Sequence, residues 1–390
     1  MKNYTINIKI IFLIRICFSL IFCVSVITLF WKKYGMDLFD IFLLQAIFAI
    51  SIVLFEIPTG HIADKLGRKK TLFLSCGTAF IAWFFYSLST SFFQFVFVEI
   101  VLGLAFSFLS GTDSSLLYET LIESGDQHLY SKYEGKKNSF RHFAEAFSAL
   151  VGGILVNFIS FRGLFLLSSL SVFVAFILCF WIKEPKRDSY HHPRGTLYGM
   201  YKISRFVFLR SRIVKYVLPL MAMCSLSTMI GVWLYQPLWQ KIEIPVWLFG
   251  LLWALISVPA AIAGHFAYNI ENLIGKKRII WLLPLPAIIG YLIIYFLPGY
   301  FVLIGIYLVP ILRGLNMPIL LKYIHEETFS DKRATVISIQ NWIFRLSYFC
   351  IAPLIGFIGK NYNIKVAFIV CAFIVLISTG IFIPSVIKRI

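Results

Sequence analysis

The chain has 390 residues, of which 59% are hydrophobic, 17% aromatic and 14% charged, with a mean hydropathy of +0.85. Soluble domains carry nearer a quarter charged residues, so this composition excludes a water-soluble globular protein and requires lipid as solvent. The net charge of +18 is read as membrane topology rather than nucleic-acid binding, because Lys and Arg are retained in short cytoplasmic loops.

Crossing the hydrocarbon takes about 20 apolar residues per helix. Twelve spans of that kind are predicted, at residues 10–31, 38–58, 72–90, 92–118, 138–159, 163–183, 214–238, 246–268, 279–297, 299–321, 334–358 and 366–386. The N-terminus carries Lys2 and Lys9 before its apolar run, as a secretion signal would, but Arg15 interrupts the run and another long span follows at once. It is therefore read as the first membrane helix. The seven cysteines show no metal or disulfide spacing and are read as packing residues.

Between the spans, one set of loops is basic: Lys65 to Lys70, Lys132 to Arg141, Lys183 to Lys215, Lys276 to Arg278, Lys322 to Arg333, and Lys388 with Arg389. The other set holds only Lys32, Lys33, Arg162, Lys241, Lys360 and Lys365. This asymmetry places both termini in the cytoplasm. The one long loop, 184–213, falls at mid-chain and is predicted to hinge two bundles, 1–183 and 214–390. Its second part, Leu197 to Arg212, mixes apolar and basic residues and suits either a helix lying on an anionic membrane surface or a polar linker. The halves carry weak internal echoes. Gly60-His61-Ile62-Ala63 ends span 2 and Gly264-His265-Phe266-Ala267 ends span 8. A basic cluster follows each, after Gly67 and Gly275. Such repeats mark transporters built from two related halves.

Charged residues inside hydrocarbon cost about 2.5–3.5 kcal/mol each on insertion scales, so they are expected to face a cavity or a partner. The spans contain Arg15, Glu99, Asp113, Glu145, Arg313 and Arg345. On span 4, helical spacing puts Glu99 and Asp113 on one face. Those two and Glu145 are the candidate proton sites, since a carboxylate in an apolar cavity has its protonated form favoured. Arg15 and Asp113 are expected to meet, either as a permanent ion pair fastening two helices or as part of a working site. The second half has no acidic residue inside its predicted spans, yet carries Arg313 and Arg345. Guanidinium groups bind carboxylate or phosphate bidentately. These two therefore point to an anionic substrate held with Gln236, Asn316, Gln340, Asn341 and Tyr348. Snorkelling of Arg313 to the surface, or pairing with a first-half carboxylate, is the competing reading. Trp233 and Tyr235 either pack or stack on the substrate.

The segment Gly60-His61-Ile62-Ala63-Asp64-Lys65-Leu66-Gly67-Arg68-Lys69-Lys70 is read as a charged turn between two membrane spans. It resembles the loop between helices 2 and 3 of the major facilitator superfamily of secondary transporters, with Ile62 where Leu is commoner. The resemblance extends over the whole chain and implies an all-α membrane fold of twelve transmembrane helices in two pseudo-symmetric six-helix bundles. It also implies that Gly60, Asp64, Gly67 and Arg68 lock the cytoplasmic side closed, with Arg68 on a carboxylate such as Glu119 or Glu123. Glu56-Ile57-Pro58-Thr59-Gly60, Leu116-Leu117-Tyr118-Glu119 and Arg333-Ala334-Thr335 look like a bacterial branch of drug and metabolite carriers. The antiporter pattern of span 5 expects Gly-Pro before Gly-Gly, and Gly152-Gly153 stands here without the proline.

The expectation is thus a monomeric, proton-linked carrier of a small amphipathic anion, such as a carboxylate siderophore or metabolite, in a bacterial inner membrane. Drug efflux is the alternative, and a non-transporting receptor is a third class. Its partners are the substrate, protons and lipid, with no nucleic acid. No cofactor, metal set, phosphate loop or catalytic cluster is legible, so no enzyme activity is expected.

Overall fold

The computed structural model describes residues 2–185, 211, 213–327 and 333–389. The expected surface helix at 197–212 and the greater part of the 184–213 hinge lie outside them. All regular structure among the described residues is helical.

In chain order the helices are α1 (Lys2–Ser19), α2 (Ile27–Lys33), α3 (Leu38–Leu66), α4 (Arg68–Leu88), α5 (Phe92–Leu109), α6 (Thr112–Ser124), α7 (Tyr130–Leu155) and α8 (Phe161–Leu178). After the hinge come α9 (Val214–Lys241), α10 (Phe249–Ile274), α11 (Lys276–Leu282), α12 (Leu285–Phe296), α13 (Val302–Glu327), α14 (Arg333–Asn361) and α15 (Ile364–Ile387). Among the described residues, ten stretches are long and apolar enough to cross a membrane. The other two expected spans, 10–31 and 138–159, are occupied by α1 with α2 and by α7.

Three spans are broken rather than straight. Span 1 leaves the helix at residues 20–26, between α1 and α2. Backbone groups released inside a bilayer need partners. Here the Phe22 N–H donates to the Ser168 hydroxyl at 2.9 Å, and the Ser171 hydroxyl donates to the Cys17 carbonyl at 2.8 Å. Span 4 breaks at Ser110–Gly111, where Gly111 has φ +73°, a conformation that disfavours side chains. Span 9 breaks between α11 and α12, beside Pro284. The charged segment 60–70 is less of a loop than expected. α3 runs on to Leu66 and α4 starts at Arg68, so Gly67 alone, with φ +101°, makes the turn.

The described residues gather into two compact units. One comprises Met1–Phe30, Ile47–Gly195 and Val246–Ala254; the other comprises Trp31–Ala46, Thr196–Pro245 and Leu255–Ile390. Apolar attraction between helices is weak in lipid, so close packing must come from small residues and interlocking rings. In the first unit Tyr86 stacks on Phe165 at 4.9 Å and Phe30 lies 4.5 Å from the same ring. In the second, Phe368 sits 6.0 Å from both Tyr235 and Tyr291. There α12 and α13 touch through Gly290, where a methyl group would meet the Gly305 carbonyl at 2.6 Å.

Candidate functional site

In the first unit, the break in span 4 makes Asp113 a first-turn residue of α6. Its carboxylate faces two cations: Arg15 Nη1 of α1 at 3.6 Å and Lys137 Nζ of α7 at 3.0 Å. Lys137 is 2% exposed. It also meets Glu134 Oε2 at 3.0 Å and donates to the Ser114 hydroxyl at 2.8 Å. Ser114 in turn donates to Glu134 Oε1 at 2.9 Å. Three spans are therefore joined by one ionic cluster of two cations and two carboxylates, with Lys137 buried and Arg15 and Glu134 partly exposed. Arg15 and Asp113 meet as the sequence predicted. Lys137 does not fit its sequence reading, which left it in a basic loop. α7 starts at Tyr130, eight residues before the predicted span, and carries Lys137 inward on the same face as Ala144 and Ser148.

The helical register proposed for span 4 does not hold. The turn at Ser110–Gly111 separates Glu99 in α5 from Asp113 in α6, so the two carboxylates do not share a continuous helix face. Glu99 is buried and accepts a hydrogen bond from the Tyr86 hydroxyl at 2.9 Å, in the packed interior between α4 and α5. Glu145 is half-exposed and lies on Arg141 of its own helix at 2.9 Å, with His142 at 3.3 Å. Of the three candidate proton sites, Asp113 is the one held by cations from two other helices, Arg15 of α1 and Lys137 of α7.

The turn after α3 is tied down from two sides. Arg68 reaches Asp64 at 3.2 Å within the turn and Glu119 of α6 at 3.2 Å, which selects Glu119 from the two expected carboxylates. Glu184 adds a cap that the sequence did not reveal. Its two oxygens accept from the backbone N–H groups of Arg68 and Lys69 at 2.6 and 2.7 Å, at the N-terminus of α4 where the dipole favours an anion. Gly60 is exposed at the helix surface.

In the second unit the predicted substrate residues come from α9, α13 and α14. Asn316 is 1% exposed and donates to the Met221 carbonyl and the Ser225 hydroxyl of α9, both at 3.1 Å. Its Oδ1 is buried without a hydrogen-bond partner, as are Trp233 Nε1 and the Tyr235 hydroxyl. The Tyr235 phenol lies within electrostatic reach of Arg313. Gln236 and Tyr348 are buried, Arg345 is half-buried, and Arg313 and Asn341 are exposed. One acidic residue that the sequence reading placed in the loop after span 8 lies inside a helix. α10 continues to Ile274, past its predicted span, and carries Glu271, 4% exposed and 3.1 Å from Lys322 of α13. Glu327 repeats the capping role of Glu184, accepting from the Ile213 N–H at the start of α9 at 3.2 Å.

Broken apolar spans, buried ionic residues and two related helical sets define a membrane transport protein. The sequence profile of the Major Facilitator Superfamily matches residues 10–344, and the chain belongs to that family. It is a multi-pass membrane protein and a secondary transporter, with an all-α fold of twelve transmembrane helices in two pseudo-symmetric bundles. No curated protein matches it in sequence. Among solved structures it is similar to the nucleoside transporter NupG, with a TM-score of 0.77 at 12% identity over 99% of both chains. A bacterial homolog of the human lysosomal transporter Spinster gives 0.78 at 14% identity over 98% of this chain and 97% of that one. A D-xylose-proton symporter gives 0.70 at 15% identity over 95% and 97%. At these identities the likeness concerns the fold.

Proposed function

We propose that this transporter carries a small amphipathic anion through a bacterial inner membrane, coupled to protons, by alternating access of bundles 1–183 and 214–390 about the hinge 184–213. It works as a monomer with both termini in the cytoplasm, as the loop charges favour. Carboxylates, including siderophore-like ones, are the cargo class that best suits Arg313 and Arg345.

The observation that carries the reading is the position of Asp113 between Arg15 and Lys137, at 3.6 and 3.0 Å. With Asp113 and Glu134 ionised, the four charges of the cluster cancel. A proton on Asp113 would leave the cluster with one excess positive charge, which raises the attraction of the transport pathway for an anion. Proton and anionic cargo therefore favour each other's binding, and that reciprocity is the thermodynamic content of coupling. The neutral polar atoms of Trp233, Tyr235 and Asn316 supply a donor and acceptors for orienting the cargo.

The test is flux in proteoliposomes containing the purified protein. Labelled citrate is expected to accumulate under an imposed pH gradient and to exchange in counterflow without one. Movement of an apolar drug with no movement of citrate or other carboxylates would replace this reading with drug efflux. No flux of either would favour a receptor.

A further inference from the structure

A second polar feature lies within the second unit, at the end of the spans where α2 finishes and α15 begins. A cleft of about 400 Å³ is lined by Lys32, Gln240, Lys241, Tyr362 and Asn363 over an apolar floor that includes Leu38 and Pro237. Among the described residues neither of its two cations forms an ion pair with a carboxylate. Lys32 donates to the Gln240 amide oxygen at 2.9 Å, and Lys241 to the Asn363 amide oxygen at 3.0 Å. The Asn363 oxygen is shared, because it also accepts the Lys365 N–H at 3.1 Å.

The acidic residues nearby are otherwise engaged. Asp37 pairs with Lys360 at 2.6 Å, and the Asp37 and Asp40 carboxylates accept each other's backbone N–H groups at 3.1 Å. Glu243 follows Lys241 by two residues but forms no ion pair with it among the described residues. Lys32 is half-buried, and loss of water lowers its pKa. Lys241 is exposed, and an ammonium group given only a neutral oxygen keeps most of its attraction for a negative partner. On the topology proposed above this is the outer face, where such cations are scarce: six in the whole chain by the sequence reading, two of them in this cleft.

We propose that the cleft is an oxyanion site, in which a phosphate-type group bridges Lys32 and Lys241 and displaces the two amide oxygens. The group comes from an anionic lipid headgroup or from a soluble phosphate, and its chemistry is the same in both cases. The site is separate from the cargo position and does not depend on what the cargo is.

The experiment uses the full-length purified protein and maps lysine acetylation by peptide mass spectrometry. In detergent, inorganic phosphate is added against chloride at equal ionic strength. In nanodiscs, phosphatidylglycerol is compared with phosphatidylcholine. Occupancy is expected to slow acetylation of Lys32 and Lys241 at least about threefold, while exposed Lys33 is unchanged. Protection by phosphate in detergent identifies a soluble ligand; protection by phosphatidylglycerol alone identifies a lipid. The anion-dependent rise in melting temperature is expected to vanish in Lys32→Gln/Lys241→Gln. Acetylation rates of Lys32 and Lys241 that neither phosphate nor phosphatidylglycerol changes overturn the proposal. So does a double variant that folds and retains the full thermal response.

Discussion

The two units handle charge in different ways. The first gathers Arg15, Lys137, Asp113 and Glu134 into one buried cluster, and Arg68, Asp64 and Glu119 into a second group at the turn after α3. The second has isolated pairs, Glu271 with Lys322 and Asp37 with Lys360. It also has buried neutral groups, Asn316 Oδ1, Trp233 Nε1 and the Tyr235 hydroxyl, without hydrogen-bond partners, whereas the unpartnered buried atoms of the first unit include atoms of the charged residues Arg15, Glu119 and Glu134. In the first unit the charges of two cations and two carboxylates offset one another. A site with spare neutral donors and acceptors suits a cargo that brings its own charge. Under the function proposed above, proton handling falls to the first unit and cargo recognition to the second.

The strongest attempt to break that assignment is Asp113→Asn. Proton-driven accumulation is expected to fall by about 10-fold or more, while counterflow exchange stays within about twofold; equal loss of both would make the cluster merely structural. Next is Arg345→Gln. A charge-assisted hydrogen bond contributes about 1.5–3 kcal/mol, so KM for a carboxylate should rise about 10- to 100-fold. An unchanged KM would move recognition out of the second unit.

Smaller effects sharpen the picture. Gly111→Ala forces a side chain into φ +73° and should cost about 1 kcal/mol of stability, read from thermal unfolding in detergent. Transport should fall in parallel if the broken span positions Asp113. Lys322→Met leaves Glu271 without its ion-pair partner, and since Lys322 is about a third exposed the cost should be about 1 kcal/mol. Adding Glu271→Gln should restore most of it. The smallest effect belongs to Asp37→Asn. Burial raises the Asp37 pKa, but the hydrogen bond and charge of Lys360 outweigh it and the net shift is downward. The pair's contribution is therefore present above the unfolded value of about 4 and is lost as pH falls through the lowered folded value. Melting curves of native and variant protein should converge in acid and separate slightly at neutral pH.

Much of the fold was legible in the sequence. Apolar runs of membrane length, the loop-charge asymmetry and the segment 60–70 all report directly on a bilayer solvent. The pairing of Arg15 with Asp113 was legible too, because two costly opposite charges at similar depth have few other solutions. The register of span 4 was not, since Gly111 inside an apolar run reads equally as a packing glycine. Lys137 and Glu271 were read as loop residues because each lies beyond the apolar stretch of its helix, where hydropathy stops but the helix continues.

The sequence by itself determined the solvent, the class of fold and the types of charge that must be satisfied, because these follow from local composition and spacing. Tertiary structure alone decided which charges meet. Asp113 finds Lys137 only because α6 restarts at the span 4 break and α7 runs inward beside it. Glu184 finds the start of α4 only after more than a hundred residues of intervening chain have folded back. Those partnerships depend on helix breaks and on close helix contacts, whose geometry no single stretch of sequence contains.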